Sequence, residues 1–207
     1  MQEMSKSPEE ISKKENNESS KFGRFIKWFF ESFIWLAIVL FIIDIATKFI
    51  AYYNLPTNSS VKIKGFEWLV QLTLTFNTGA AWGAGGDNLV TRILLCFISY
   101  AAAAFIIYYY FKNRKKLSKF VKAILMIILA GDVGNLIDRT LSFMPLDTIY
   151  SKGVVDFIDI TPLIKGFGIF NFADSCLCVG IFMLLIYEIV LMIKEKDKKD
   201  NKKDESK

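Results

Sequence analysis

The chain has 207 residues, 53% of them hydrophobic and 23% charged, with a formal net charge of +5 and no histidine. The missing imidazole excludes histidine-based triads, HExxH zinc sites and most transition-metal sites, so proton transfer falls to carboxylates, lysine or tyrosine, and no metal or cofactor is expected. The positive charge flanks long apolar runs and faces anionic lipid instead of forming a free basic domain, which argues against nucleic-acid binding.

In chain order, residues 1–24 are mixed in charge and poor in apolar side chains, a composition that predicts a solvated, disordered tail. A membrane domain is expected over 25–193, followed by a basic tail over 194–207. Four apolar runs in the domain, 25–50, 89–111, 120–143 and 169–193, reach the roughly 20 helical residues needed to cross a bilayer. The first is too long for a signal-peptide core, carries Glu31 and Asp44, and has no small-residue cleavage site before Tyr52, so it is expected to remain as an anchored helix. Lysine and arginine cluster before the first run, between the second and third, and after the fourth. The positive-inside rule then places both termini and the 2–3 loop in the cytoplasm.

The first outer loop holds VQLTLTFN, where Val70, Leu72, Leu74 and Phe76 alternate with Gln71, Thr73, Thr75 and Asn77. That period predicts a strand, and open strands cannot sit in lipid, so a small external β-sheet resting on the helices is expected. Gly79, Gly83, Gly85 and Gly86 follow, suiting a tight return or a close backbone approach to a ligand. The second outer loop holds GVVDFIDI, a strand-like run in which Asp156 interrupts an apolar face: either a hydrogen-bonding aspartate at the membrane surface or a working carboxylate.

Asp44 and Lys48 lie late in the outward first span, while Asn135, Asp138 and Arg139 lie about 22 to 29 Å beyond Phe120 along the third at 1.5 Å per residue. Asn171 and Asp174 open the inward fourth span, so all these groups converge by the outer boundary. Ionisable groups inside spans mark function by default. For Asp44 with Lys48 and Asp138 with Arg139, buried ion pairs fixing helix register compete with direct chemistry. Asp174 has no cation in its own turn. Cys96, Cys176 and Cys178 are read as small apolar residues.

Ser175 and Lys48 permit a serine–lysine dyad on paper, but Asp156 and Asp174 can be brought together at the water–lipid boundary. Two facing carboxylates share a proton, so one can deprotonate water while the other protonates a carbonyl oxygen or leaving amine, as in aspartic proteases. A small transporter or proton-coupled channel and a non-enzymatic assembly factor are the competing classes.

Together DIATK (44–48), FNTGAAWG (76–83), GNLIDR (134–139), VVDF (154–157) and FNFADS (170–175) closely resemble the motifs of bacterial lipoprotein signal peptidase, or signal peptidase II, over about residues 28–193. The resemblance implies a four-helix intramembrane aspartyl endopeptidase of the bacterial inner membrane, its active site on the extracytoplasmic face. It would remove the signal peptide from diacylglyceryl-modified prolipoproteins, cutting before the lipidated cysteine, as a monomer among membrane lipid. By motif, Asp156 and Asp174 are the implied catalytic pair. Asn77, Gly79, Asn135, Arg139, Asn171 and Ala173 fall on motif positions around the substrate, and Asp44, Lys48 and Asp138 on supporting ones. Two features depart from the family pattern: a long stretch between Asp138 and Asp156, and Asp132 where a small apolar residue is usual. Asp132 is either a protonated, hydrogen-bonded acid or a partner for a neighbouring helix.

Overall fold

The structure, a computed structural model, describes residues 8–57, 59–79, 85, 86, 88–145 and 149–204. Its membrane-spanning helices are α2 (Ile34–Asn54), α3 (Leu89–Asn113), α4 (Lys119–Leu141) and α5 (Phe172–Asp204), preceded by helix α1 (Pro8–Ser32). Among the described residues, four helices are long and apolar enough to cross a membrane. The span-forming window of α4 is 61% buried against 11–17% in the other three, which makes α4 the central helix. The exposed faces of α2, α3 and α5 carry large apolar side chains such as Ile42, Phe97 and Phe182, as lipid-facing surfaces should.

The first span starts later than expected. Instead of one helix over 25–50, the chain breaks at Phe33, whose φ of 60° is left-handed. Ser32 Oγ donates to the Phe29 carbonyl at 2.7 Å and accepts from Ile34 N at 3.2 Å, closing α1 and opening α2. Lys21, Arg24, Lys27 and Glu31 recur every three or four residues, and a helix so charged cannot share the span's path through hydrocarbon. Helix α1 also reaches back to Pro8 and α5 forward to Asp204, so the backbone is helical in parts of the stretches expected to be disordered tails. The fourth helix begins at Phe172 instead of 169, because Phe170 is extended and bridges Ile158.

The external sheet is antiparallel in the order β1 (Ser60–Lys62), β2 (Gln71–Asn77), β3 (Val154–Asp159). β2 is the strand expected from alternation and β3 the one expected from a short apolar run, while β1 is an addition: three residues are too few to show a period. Thr75 pairs with Asp156 and Asn77 with Val154. A buried cluster of Leu74, Ile149, Tyr150 and Val155, joined by Tyr52, Leu55 and Leu141, seats the sheet on the C-terminal ends of α2 and α4. Residues 80–84, including Gly83, and 146–148 of the long second loop lie outside the described residues.

Candidate active site

Five elements, α2, β2, α4, β3 and the start of α5, deliver the polar residues to one place. At the start of α5, Asn171 caps the helix: its Oδ1 accepts from Asp174 N at 3.0 Å, and its own N–H donates to Asp174 Oδ2 at 3.1 Å. This reciprocal box fixes Asp174 in the first turn, where the helix dipole favours negative charge. The next free N–H of the turn, on Ala173, donates to Asp44 Oδ1 at 2.9 Å, so α2 caps α5 as well.

Asn135 and Asn171 then link the carboxylates. Asn135 Nδ2 donates to Asp174 Oδ1 at 2.7 Å, and Asn171 Nδ2 donates to Asp156 Oδ1 at 2.7 Å and to Asn135 Oδ1 at 3.0 Å. Asp156 is 2% exposed and Asp174 is half-buried. Asn77, diagonal to Asp156 across the β2–β3 pair, supplies another side-chain hydrogen bond to it. The Gly79 N–H donates to Asn77 Oδ1 at 2.9 Å and holds that amide in place. Burial, and after it the charge of Asp174, pushes the Asp156 carboxyl up to about 8. One member of the pair is thereby set to carry a proton at neutral pH.

Beneath the pair lies a fully buried cation. Lys48 Nζ sits 2.8 Å from Asp44 Oδ2 and 2.8 Å from Asp138 Oδ2, and donates to Asn135 Oδ1 at 3.2 Å and the Gly134 carbonyl at 3.3 Å. The Asp44–Lys48 pair expected from i,i+4 spacing is present. An Asp138–Arg139 pair is not: Asp138 turns to Lys48 and accepts from Val155 N at 3.3 Å, because adjacent helical residues point about 100° apart. With Lys48 ringed by these acceptors and the Ser175 hydroxyl donating to the Asn171 carbonyl at 3.2 Å, a serine–lysine dyad does not form.

Arg139 instead lines a cleft of about 450 Å³ together with Asn77, Asp156, Asp174, Phe170 and Val179. The carboxylates hold its polar end, while Cys178 and Val179 lead out onto the lipid-facing side of α5. The volume is in the range of small-molecule and peptide side-chain sites. Asp132, the residue left open by sequence, faces away from this cleft: it hydrogen-bonds Ser99 and so links α4 to α3.

Two supports escaped the sequence reading. Gly153 has φ of 123° where the chain turns into β3, and a Cβ there would lie 2.7 Å from the Asn77 carbonyl oxygen. Arg92 donates to the Ser142 carbonyl and hydroxyl at 3.0 Å each and sits 4.9 Å over the Phe143 ring, tying α3 to the chain just beyond α4. An arginine three residues into an apolar run was the available signal for the second; nothing local marks the first.

The family model described as signal peptidase (SPase) II matches residues 36–190 of the chain. A lipoprotein signal peptidase of Coxiella burnetii (strain Dugway 5J108-111) is 33% identical over 159 residues, covering 76% of this chain and 89% of that protein. A lipoprotein signal peptidase of the RSA 493 / Nine Mile phase I strain is 32% identical over the same shares. A solved structure described as a bacterial membrane enzyme at 2.3 Å superposes with a TM-score of 0.63 at 28% identity, covering 75% of this chain and 86% of the other. Another, described in the same words at 1.9 Å, gives 0.60 at 28% identity over 74% and 90%. The matched region runs from the start of α2 well into α5 and takes in every polar residue of the cleft, so the chain belongs to the signal peptidase II family.

Proposed function

We propose that this chain is the aspartyl endopeptidase that removes the signal peptide from diacylglyceryl-modified prolipoproteins, with Asp156 and Asp174 as its catalytic pair. The observation that carries the reading is the pair itself: two carboxylates on the wall of one cleft, joined through Asn171 and Asn135, one of them raised to about 8. A water between them loses a proton to the Asp174 carboxylate as its oxygen attacks the scissile carbonyl. Asp156 gives its proton to the carbonyl oxygen, forming a neutral gem-diol. The proton on Asp174 then passes to the leaving nitrogen as the C–N bond breaks and Asp156 recovers its proton from the collapsing diol.

Asn135, Asn171 and Asn77 position the pair and hold no proton that moves. Arg139 faces the cleft as a donor for substrate carbonyls. Lys48 with Asp44 and Asp138 clamps α2, α4 and the start of α5, keeping the carboxylates in register. The lipid-facing mouth by Val179 suits acyl chains on the cysteine next to the scissile bond.

By the clustering of lysine and arginine, both termini face the cytoplasm and the cleft opens at the extracytoplasmic side of a bacterial inner membrane. A monomer suffices, since one chain supplies every group of the site. The test is a comparison of precursors with and without the diacylglyceryl group, followed by mass measurement of products. Cleavage confined to the lipidated precursor is expected, and equal rates on both would refute the role of the mouth.

A further inference from the structure

At the end of the bundle opposite the carboxylates two cavities meet. One, of about 350 Å³, is an apolar groove between α2, α3 and α4 lined by residues such as Ile38, Phe41, Ile107 and Met126. The other, of about 290 Å³, is lined by Trp28, Glu31, Ser32, Arg114, Lys115 and Lys122. Tyr110 belongs to both walls. It is 2% exposed, and its hydroxyl donates to the Ser32 carbonyl at 2.8 Å, so its ring is a fixed divider between a basic chamber and an apolar one.

Three cations face a single carboxylate in the basic chamber, and among the described residues none of the three has an ion-pair partner. The chamber sits where α1 leaves the bundle, with exposed Phe25 and Phe30 and the basic Lys21, Arg24 and Lys27 on the same helix. An apolar groove between spans fills with any acyl chain; it becomes selective only where a charged chamber adjoins it at headgroup depth. Both are present here, and neither takes part in the chemistry proposed for the cleft.

We propose that the two cavities form one site for an anionic phospholipid of the leaflet opposite the cleft. Its phosphate lies among Arg114, Lys115 and Lys122 with the Trp28 indole beside it, and an acyl chain lies in the groove past Tyr110. Bound there, the lipid ties the break between α1 and α2 to the adjoining ends of α3 and α4.

The test is native mass spectrometry of the full-length protein in detergent, titrated with phosphatidylglycerol and, separately, with phosphatidylcholine of the same chains. Wild-type protein should retain the anionic lipid more tightly by about tenfold or more, given the contribution of each basic residue to anionic-lipid binding. Arg114→Gln/Lys115→Gln/Lys122→Gln, at exposed or half-exposed positions and checked for helix content, should erase that preference. Ala37→Phe, which fills the groove, should weaken retention of both lipids while leaving the preference. Equal retention by wild type, or an undiminished preference in the triple variant, overturns the site. A diazirine on the acyl chain should mark α2, α3 and α4 along the groove; crosslinks confined to the cleft beside Asp174 would also overturn it.

Discussion

Replacing Lys48 by methionine isolates the role of the buried cation. Lys48 is 0% exposed and holds Asp44 and Asp138 at 2.8 Å each, with both carboxylates 1% exposed. Methionine fills a similar volume but leaves two negative charges without a counter-ion. Removing one partner of a buried pair destabilises by about 3–5 kcal/mol. The lower part of that range applies here, because Asp44 keeps the Ala173 N–H and Asp138 keeps the Val155 N–H. For a chain of this size the loss corresponds to a fall in Tm on the order of 10 °C, read by thermal unfolding in detergent. The triple variant Asp44→Asn/Lys48→Met/Asp138→Asn should recover most of the loss, since the asparagines keep acceptors for both backbone donors and carry no charge. A Lys48→Met protein with wild-type Tm and no turnover would refute the clamp and move Lys48 into the chemistry.

The other predictions test the site from different sides. Asn171→Ser keeps a capping oxygen but removes the amide that donates to Asp156, so kcat should fall by about tenfold to a hundredfold with little change in Tm; unchanged kcat would remove Asn171 from the positioning set. Because burial and then the Asp174 charge raise Asp156 to about 8, kcat/KM should decline as pH rises through that value, and a profile flat well above it would deny Asp156 the acid's role. The same upward shift favours the folded state below the ordinary value of 3.8 and loses that contribution as pH rises through about 8, so Asp156→Asn should flatten the slope of stability across this window. A Cβ at Gly134 would lie 2.5 Å from Asp44 Oδ2 and 3.1 Å from the Ala173 Cβ, so Gly134→Ala should destabilise by about 1–3 kcal/mol; a neutral result in thermal unfolding would show that α4 is not closely apposed to α2 and α5 there.

Much of this was legible because the membrane restricts the choices. Length and composition separate out the spans, and rise per residue brings Asp44, Asn135, Asp138 and Asp174 to one depth. The strand around Asp156 was visible as a short apolar run, but its pairing with β2 was not, since register depends on turns that local pattern does not encode. The break at Phe33 was hidden for a similar reason: hydropathy runs on through Trp28, Phe29 and Phe30, and the stop comes from one serine hydroxyl and a left-handed residue. The partner of Asp138 was misread because i,i+1 neighbours on a helix diverge, while Lys48 reaches it from another helix through a contact of long sequence separation. Gly131 carries the same lesson: it borders the Ala173 carbonyl of α5, and no local signal distinguishes such a glycine from a flexible one.

The most direct test of the central claim is cleavage of a purified diacylglyceryl-modified prolipoprotein by wild type, Asp156→Asn, Asp174→Asn and the double variant, with products weighed by mass spectrometry. The account predicts a lipoprotein beginning at the lipidated cysteine from wild type and no product from either folded single variant, although both still bind the precursor. The double variant should be little worse than either, as members of one unit are not additive. Substantial product from either folded single variant would contradict the aspartyl mechanism.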